Sequence, residues 1–470
     1  MSLYSPINNE EEEEEERTQP LSSDSQRESI TEQSPLFDDI DQSPLLGITD
    51  QSPLLGDESE EIEIEDEELI QHGKASYFSC AINLSNTILG TGMLAMPAAV
   101  ASVGLIFGSM MIFYAAATSS LGLYFLSRTA THTKGRHASF FSISKLTYPK
   151  AAIFFDLAIA IKCFGVAISY LIIIGQLMPQ VIESIFASEQ NTIFLDRRFW
   201  ITLSMFIIVP LSFLKRLDSL RHTSLIALFA VIYLMFIVIY NFLGPDYKSP
   251  PKDKIHLFNL TKKFLINLPI FVFSFTCHQN IFAVYNELAD NSQGNINGVI
   301  VGSIGTSSII YQIIGILGYL SFGDDVSANI IAMYKSSTIV TIGRVAIVTL
   351  VLFSYPLQNH PARACLDKVL SFGSSHEYSQ TKYILLTSGI LISSYTIGML
   401  VSELDLVLSF VGATGSTTVS FILPGLFYYK LHENAQWDFR KSLSVFLVIY
   451  GFSVMFICVS LNILRLLARE

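Results

Sequence analysis

The sequence predicts an all-α membrane protein of eleven transmembrane helices, arranged as two inverted repeats of five with one helix added. Three observations carry that expectation. Half of the residues are hydrophobic and only 15% are charged, with a mean hydropathy of +0.46; a soluble domain carries about 25% charged residues, so most of this surface must face lipid. Beyond residue 70, apolar stretches recur at the length of about 20 residues that a bilayer core demands. The first and the sixth of these stretches are interrupted in mid-course by residues that disfavour helix.

Residues 1–70 stand apart, with 23 Asp and Glu against 2 Lys and Arg. Such a segment cannot bury enough apolar surface to offset ordering entropy, and it reads as a disordered cytosolic tail. It contains EQSPLF at 32–37, DQSPLL at 41–46 and DQSPLL at 50–55. Low-complexity duplication would give that period without any role. An acidic residue, three residues and a Leu-Leu pair is also the form of sorting signals read by clathrin-type adaptor complexes. Asp41 with Leu45 and Leu46, and Asp50 with Leu54 and Leu55, fit it. Each offers one charge and two adjacent apolar anchors. Adaptors of this kind send cargo to vacuoles, lysosomes and endosomes, so the expected location is a vacuolar or lysosomal membrane.

Residues 71–470 form the transmembrane domain, with spans near 76–100, 104–127, 152–179, 199–214, 222–243, 264–286, 297–321, 337–357, 382–401, 404–428 and 443–465. Loop Lys and Arg are more frequent on the side of the tail (Lys74, Arg128 to Lys150, Arg363, Lys368, Lys382), which predicts a cytosolic N-terminus. The start, MSLYSPINN, lacks the basic and apolar regions of a cleaved signal, so the first span is expected to direct insertion. Five scattered cysteines without CxxC spacing indicate neither a metal site nor a disulfide framework. No nucleophile–base pair or phosphate-binding loop is present, which argues against an enzyme. Asp156 and Lys162 in the third span and Arg344 in the eighth are expected to pair within the bundle or to snorkel.

The interruptions carry the functional expectation. Gly90-Thr91-Gly92 lies midway along the first span, and each glycine costs a helix about 1 kcal/mol relative to alanine. A packing notch would explain the pair equally well. The sixth span is polar from Ser274 to Asn280, and three adjacent polar groups (His278, Gln279, Asn280) cannot all face one neighbouring helix. Local unwinding exposes peptide N–H groups to a carboxylate and C=O groups to an ammonium or cation, aided by half-helix dipoles. A zwitterion needs both. Breaks at matching positions of two five-helix repeats are the arrangement of the LeuT-type fold.

Four motifs point the same way. INLSNTILGTGMLAMP (82–97), FTCHQNIFAVYNEL (275–288), FSYPLQNHPAR (353–363) and FVGATGSTTVSFILPGLFYY (410–429) together resemble the amino acid/auxin permease family, especially fungal vacuolar amino-acid transporters and sodium-coupled neutral amino-acid transporters. The resemblance covers about residues 74–465. It implies secondary active transport of amino acids. Gly90, Thr91 and Gly92 would take the substrate carboxylate, with Ile88 and Met93 beside them and Thr276, Cys277 and His278 forming the facing half. It also implies a cation role for Asn86 and for Ser354, where the family commonly has Thr.

No cofactor is expected beyond a coupling ion, proton or sodium. An acidic lumen favours the proton, and His278 has the right ordinary pKa range to carry it. The alternatives are sodium coupling through Asn86 and Ser354, or an amino-acid sensor that signals through its tail.

Overall fold

Every apolar stretch read from the sequence overlaps a helix in the computed structural model, which describes residues 73–133, 135–186, 193–214, 223–245, 247, 249–259, 262–371 and 379–468. The tail with Asp41, Leu45, Leu46, Asp50, Leu54 and Leu55 lies outside the described residues. The first stretch is two helices, α1 (Tyr77–Ile88) and α2 (Gly92–Ala101), bent by 56° at the break between them. There follow α3 (Leu105–Ala130), the short α4 (Phe140–Thr147), α5 (Ala152–Ile185), α6 (Arg197–Ser212) and α7 (Thr223–Leu243).

The second half begins with α8 (Lys262–Ser274), a 3-10 turn at His278–Asn280 and α9 (Ile281–Glu287). It continues with α10 (Gln293–Phe322), α11 (Thr338–Leu370), α12 (Gln380–Leu400), α13 (Leu404–Leu431) and α14 (Phe439–Leu467). Eight helices among the described residues are long and apolar enough to cross a membrane, or nine if the bent pair α1–α2 is one span. α6 is shorter, at 16 residues.

The local sequence explains most boundaries. Ser76 caps α1 by accepting from the Ser79 N–H, Ser337 caps α11 through Val340, and Asp438 caps α14 through Lys441. α4 starts in a reciprocal capping box between Ser139 and Ser142. α13 widens into π-helical turns at Gly412–Ser416 and Thr418–Ile422. The Gly412 Cα there runs so close to α8 that a Cβ would fall 2.1 Å from the Pro269 carbonyl oxygen.

α5 lies at the centre, with 83% of its apolar window buried, whereas α14 buries only 28% of its own. α14 turns Phe446, Ile449, Phe452 and Phe456 outward, a belt that lipid accepts and water would not. α5 runs along α11 and also meets α6 and α12, while α10 packs on α1, α2 and α3. The two interrupted pairs lie side by side in opposite directions. α1 touches α9, α2 touches α8, and a bridge joins Ala75, just before α1, to Leu288, just after α9, through Ala75 N–H to Glu287 O (2.9 Å) and Ala289 N–H to Ala75 O (3.0 Å). Arg136 closes the same corner by donating to the Asn286 and Ala289 carbonyls.

Candidate functional site

A helix that stops in an apolar surrounding frees carbonyls that must find donors. At the first break the Ile88 carbonyl takes the Gly90 N–H (2.8 Å) and the Tyr311 hydroxyl (2.6 Å). At the second break the Ser274 carbonyl lies 2.9 Å from that same Tyr311 oxygen, and the Phe275 carbonyl accepts from Ser119 Oγ at 2.7 Å. Tyr311, fully buried on α10, therefore bridges both breaks. Asn280 adds a second link by donating to Thr87 Oγ1 at 2.7 Å. Gly92 lets the two breaks touch, since a Cβ there would sit 2.6 Å from Ser274 Oγ and 2.9 Å from Ser274 Cα.

Gly90 differs. No heavy atom lies within 4 Å of where its Cβ would be, because it faces a cavity of about 650 Å³, within the usual range of about 300–1,000 Å³ for small-molecule sites. Around the breaks this cavity is lined by Asn83, Asn86, Thr87, Gly90, Thr91, Gln279 and Asn280, and across from them by Tyr170, Ser354 and Gln358. It extends along α5 as far as Asp156 and ends among Phe140, Phe141 and Lys368. From Tyr170 to Asp156 is about 21 Å of helix. Two of the lining residues carry a polar atom buried without a partner among the described residues, Thr91 Oγ1 and Gln279 Oε1. Orphaned polar atoms inside a hydrophobic wall cost about 1–3 kcal/mol each unless a ligand or water serves them.

The structure thus brings Asn86, Gly90, Thr91 and Ser354 to one cavity. Ile88, Gly92, Met93, Thr276, Cys277 and His278 lie behind its wall, Gly92 where the two breaks touch and Thr276 and His278 against α13, His278 also against α3. Asn83, Thr87 and Gln358 escaped the sequence analysis. A signal existed, because Asn83, Asn86, Thr87 and Gly90 form a polar stripe at i, i+3, i+4 and i+7 of an otherwise apolar helix, and Gln358 lies one turn beyond Ser354.

His278 is fully buried. Its Nε2 lies 3.1 Å from the Ser119 carbonyl, and its Nδ1 lies 3.0 Å from Ser420 Oγ. A carbonyl only accepts, so Nε2 carries the hydrogen. Ser420 Oγ is also 3.2 Å from Thr276 Oγ1, whose own hydrogen goes to the Val272 carbonyl at 2.8 Å. The chain of hydroxyls is satisfied in two ways. Ser420 donates to a neutral Nδ1, or it turns to donate to Thr276 and accepts from a protonated Nδ1. A Cβ at Gly122 would lie 2.7 Å from Nε2 and 2.1 Å from the Ser420 carbonyl, so that glycine makes the imidazole's room.

The charged residues expected to pair do so unequally. Arg344 donates to the Tyr334 carbonyl at 2.7 Å and to Ser336 Oγ at 2.9 Å, and Arg465 meets Asp405 at 2.8 Å. Lys162 and Asp156 do not pair with each other, and Lys162 forms no ion pair among the described residues. No group of three or more His, Cys, Asp or Glu that could hold a metal ion occurs among them either.

Two antiparallel interrupted helix pairs, a polar cavity at their breaks and a lipid-facing rim define a membrane carrier of the LeuT-type fold. Solved structures agree on that fold. Mhp1 in an inward-facing conformation matches with a TM-score of 0.56 at 13% identity, over 85% of this chain and 92% of that one. Mhp1, a nucleobase-cation-symport-1 family transporter, in a closed conformation with bromovinylhydantoin bound, matches with a TM-score of 0.55. Residues 73–464 match the family described as transmembrane amino acid transporter protein, and the chain belongs to that family; it is a transporter and not an enzyme. Vacuolar amino acid transporter 5 of Schizosaccharomyces pombe is 46% identical over 407 residues, 84% of this chain and 96% of the relative. Vacuolar amino acid transporter 6 of Saccharomyces cerevisiae is 37% identical, over 82% of this chain and 98% of its own. Sodium-coupled neutral amino acid symporter 2 of Danio rerio is 27% identical, over 82% and 81%.

Proposed function

We propose that this chain carries amino acids across the vacuolar membrane, coupled to protons, by alternating access to the cavity at the helix breaks. One observation supports the substrate site: Thr91 and Gln279, one from each break, line the cavity, and each keeps a buried polar atom, Oγ1 and Oε1, with no partner among the described residues. The substrate carboxylate goes to Thr91 and the first turn of α2, where the helix dipole favours an anion. The ammonium goes to the amide oxygens opposite, Asn280 and Gln279 among them.

Eleven spans complete the architecture, with α1–α2 and α8–α9 as the interrupted first and sixth. With a cytosolic N-terminus the cavity, ending at Lys368 and Phe141, opens to the cytosol. His278 titrates as the span-six half moves, since its hydroxyl chain serves both protonation states. Sodium is the second candidate ion, favoured by Asn86 and Ser354 lining the same cavity and by the sodium-coupled relative.

Purified protein in liposomes preloaded with unlabelled amino acid tests the proposal. Uptake of labelled amino acid without sodium, and its accumulation under a pH gradient alone, are the expected results. Accumulation that requires sodium moves the coupling to Asn86 and Ser354, and no counterflow of any amino acid overturns the function. The tail is read as the vacuolar sorting signal for an adaptor complex. Replacing Leu45, Leu46, Leu54 and Leu55 by Ala then sends the protein to the cell surface; unchanged location removes that role.

A further inference from the structure

Lys162 is the buried base that the transport site described so far does not use. It lies in the interior of the 34-residue helix α5 and is 4% exposed. Its four-carbon stem is far shorter than the about 15 Å of helix that separates it from the start of α5, so its amine cannot snorkel out. Asp156 is six residues away, on another face and about 1.7 turns nearer the cavity mouth. The stem rests instead on the π-helical turn of α13. A Cβ at Gly415 would lie 2.6 Å from Lys162 Cβ, and the next residue, Ser416, has a buried hydroxyl with no partner among the described residues.

The same π-helical stretch of α13 reaches the other buried base: Lys162 rests on Gly415, and His278 Nδ1 lies 3.0 Å from Ser420 Oγ, five residues further on. The other elements packed against α5 direct their charges elsewhere. Arg344 and Arg363 of α11 are held by carbonyls and hydroxyls, Lys368 lies 4.9 Å from the centre of the Phe141 ring, and Asp405 of α13 is paired with Arg465. The centre of the molecule therefore holds two buried bases, Lys162 and His278, and neither is paired with a carboxylate among the described residues. An ammonium enclosed in apolar protein without a counter-ion is costly, and two like charges in one enclosure are costlier still. A lysine so placed binds and loses its proton readily, and an ionisable residue within a membrane domain commonly marks a proton or ion path.

We propose that Lys162 is a proton-holding group of the transport site, and that it and His278 carry one positive charge between them, never two. Their positions give that charge a mechanical consequence. Lys162 belongs to α5, which packs along α11 and rests on α13, whereas His278 belongs to the second break, tied to α3 through Ser119 and to α13 through Ser420. Any displacement of the break against α5 changes which base is better solvated, and so which one holds the proton. The inference rests on the proton-coupled function proposed above and adds the second member of its coupling site.

The test compares full-length wild type with Lys162→Met, Lys162→Gln and Lys162→Arg in liposomes, by counterflow at equal pH and by accumulation under a pH gradient. At one proton per amino acid, a gradient of about one pH unit sustains about tenfold accumulation in the wild type. All three variants are expected to keep counterflow within about threefold of wild type while accumulating less than about twofold. Accumulation at the wild-type level in the Met or Gln variant overturns the proposal. So does recovery in the Arg variant, which would show that a fixed charge suffices, and so does equal loss of both activities in all three, which would mark a structural role. Wild-type protein that shows no counterflow overturns the transport function itself, and this inference with it.

Discussion

The two helix breaks meet at one tyrosine but are finished in opposite ways. The first presents bare chain to the cavity: Gly90 has empty space where a side chain would be, and Thr91 Oγ1 has no partner among the described residues. The second is closed upon itself. The carbonyls of Ser274 and Phe275 and the side chains of Thr276 and His278 are all bonded to α3, α8, α10 or α13, and only Gln279 and Asn280 reach the cavity. Unsatisfied polar groups await a ligand, and satisfied ones transmit or hold. On the proposed function, the first break takes the substrate carboxylate, Gln279 and Asn280 of the second complete the substrate site, and the bonded remainder of the second break serves coupling.

Four substitutions would break or sharpen that contrast. The largest effect is expected where the breaks touch. Gly92→Ala forces a Cβ against Ser274 Cα at 2.9 Å, over-packing that costs about 1–3 kcal/mol. Uptake should fall by about tenfold or more, while Gly90→Ala, with nothing to strike, stays within about threefold of wild type. Uptake assays showing the reverse order would mean that the open side of the first break is occupied in transport by the chain itself.

Next comes the closed break. A single titrating proton changes a rate at most about tenfold per pH unit, and His278→Gln should reduce that slope to under about twofold between pH 5 and pH 8 while leaving the substrate KM near its wild-type value. An unaltered pH profile would remove His278 from coupling. The smallest effect is expected at Thr91→Val, which keeps the shape and deletes the orphaned hydroxyl. One lost hydrogen bond of about 1 kcal/mol raises KM about fivefold with little change in maximal rate. Equal KM values would show that the hydroxyl does not meet the substrate.

The sequence exposed the helices well because lipid imposes a simple rule of length and apolarity. The sequence reading placed the first interruption at Gly90-Thr91-Gly92, where the glycines are a local cost, and the helix gap spans residues 89–91 with Gly92 already opening α2. It was less informative where helix continues without hydropathy. α11 runs through Pro361, Arg363, Asp367 and Lys368 to Leu370, thirteen residues past the expected end at 357, because its last turns line the cavity mouth and carry charge. α4 was missed because eight amphipathic residues resemble a loop. At the site, residue type alone could not tell that Thr276, Cys277 and His278 turn away from the cavity while Asn83, Thr87 and Gln358 turn toward it. Orientation about a helix axis is decided by neighbours far off in the chain, such as Ser119 and Ser420.

A phenol owns one hydrogen, and at Tyr311 two oxygens from opposite halves of the chain stand within reach of it. At any instant only one of them receives it, and the Ile88 carbonyl has the Gly90 N–H to fall back on. A swivel of that single O–H, far cheaper than unwinding a turn, is enough to trade allegiance from one half to the other. The protein thus keeps both halves on a common pivot while fastening neither for good.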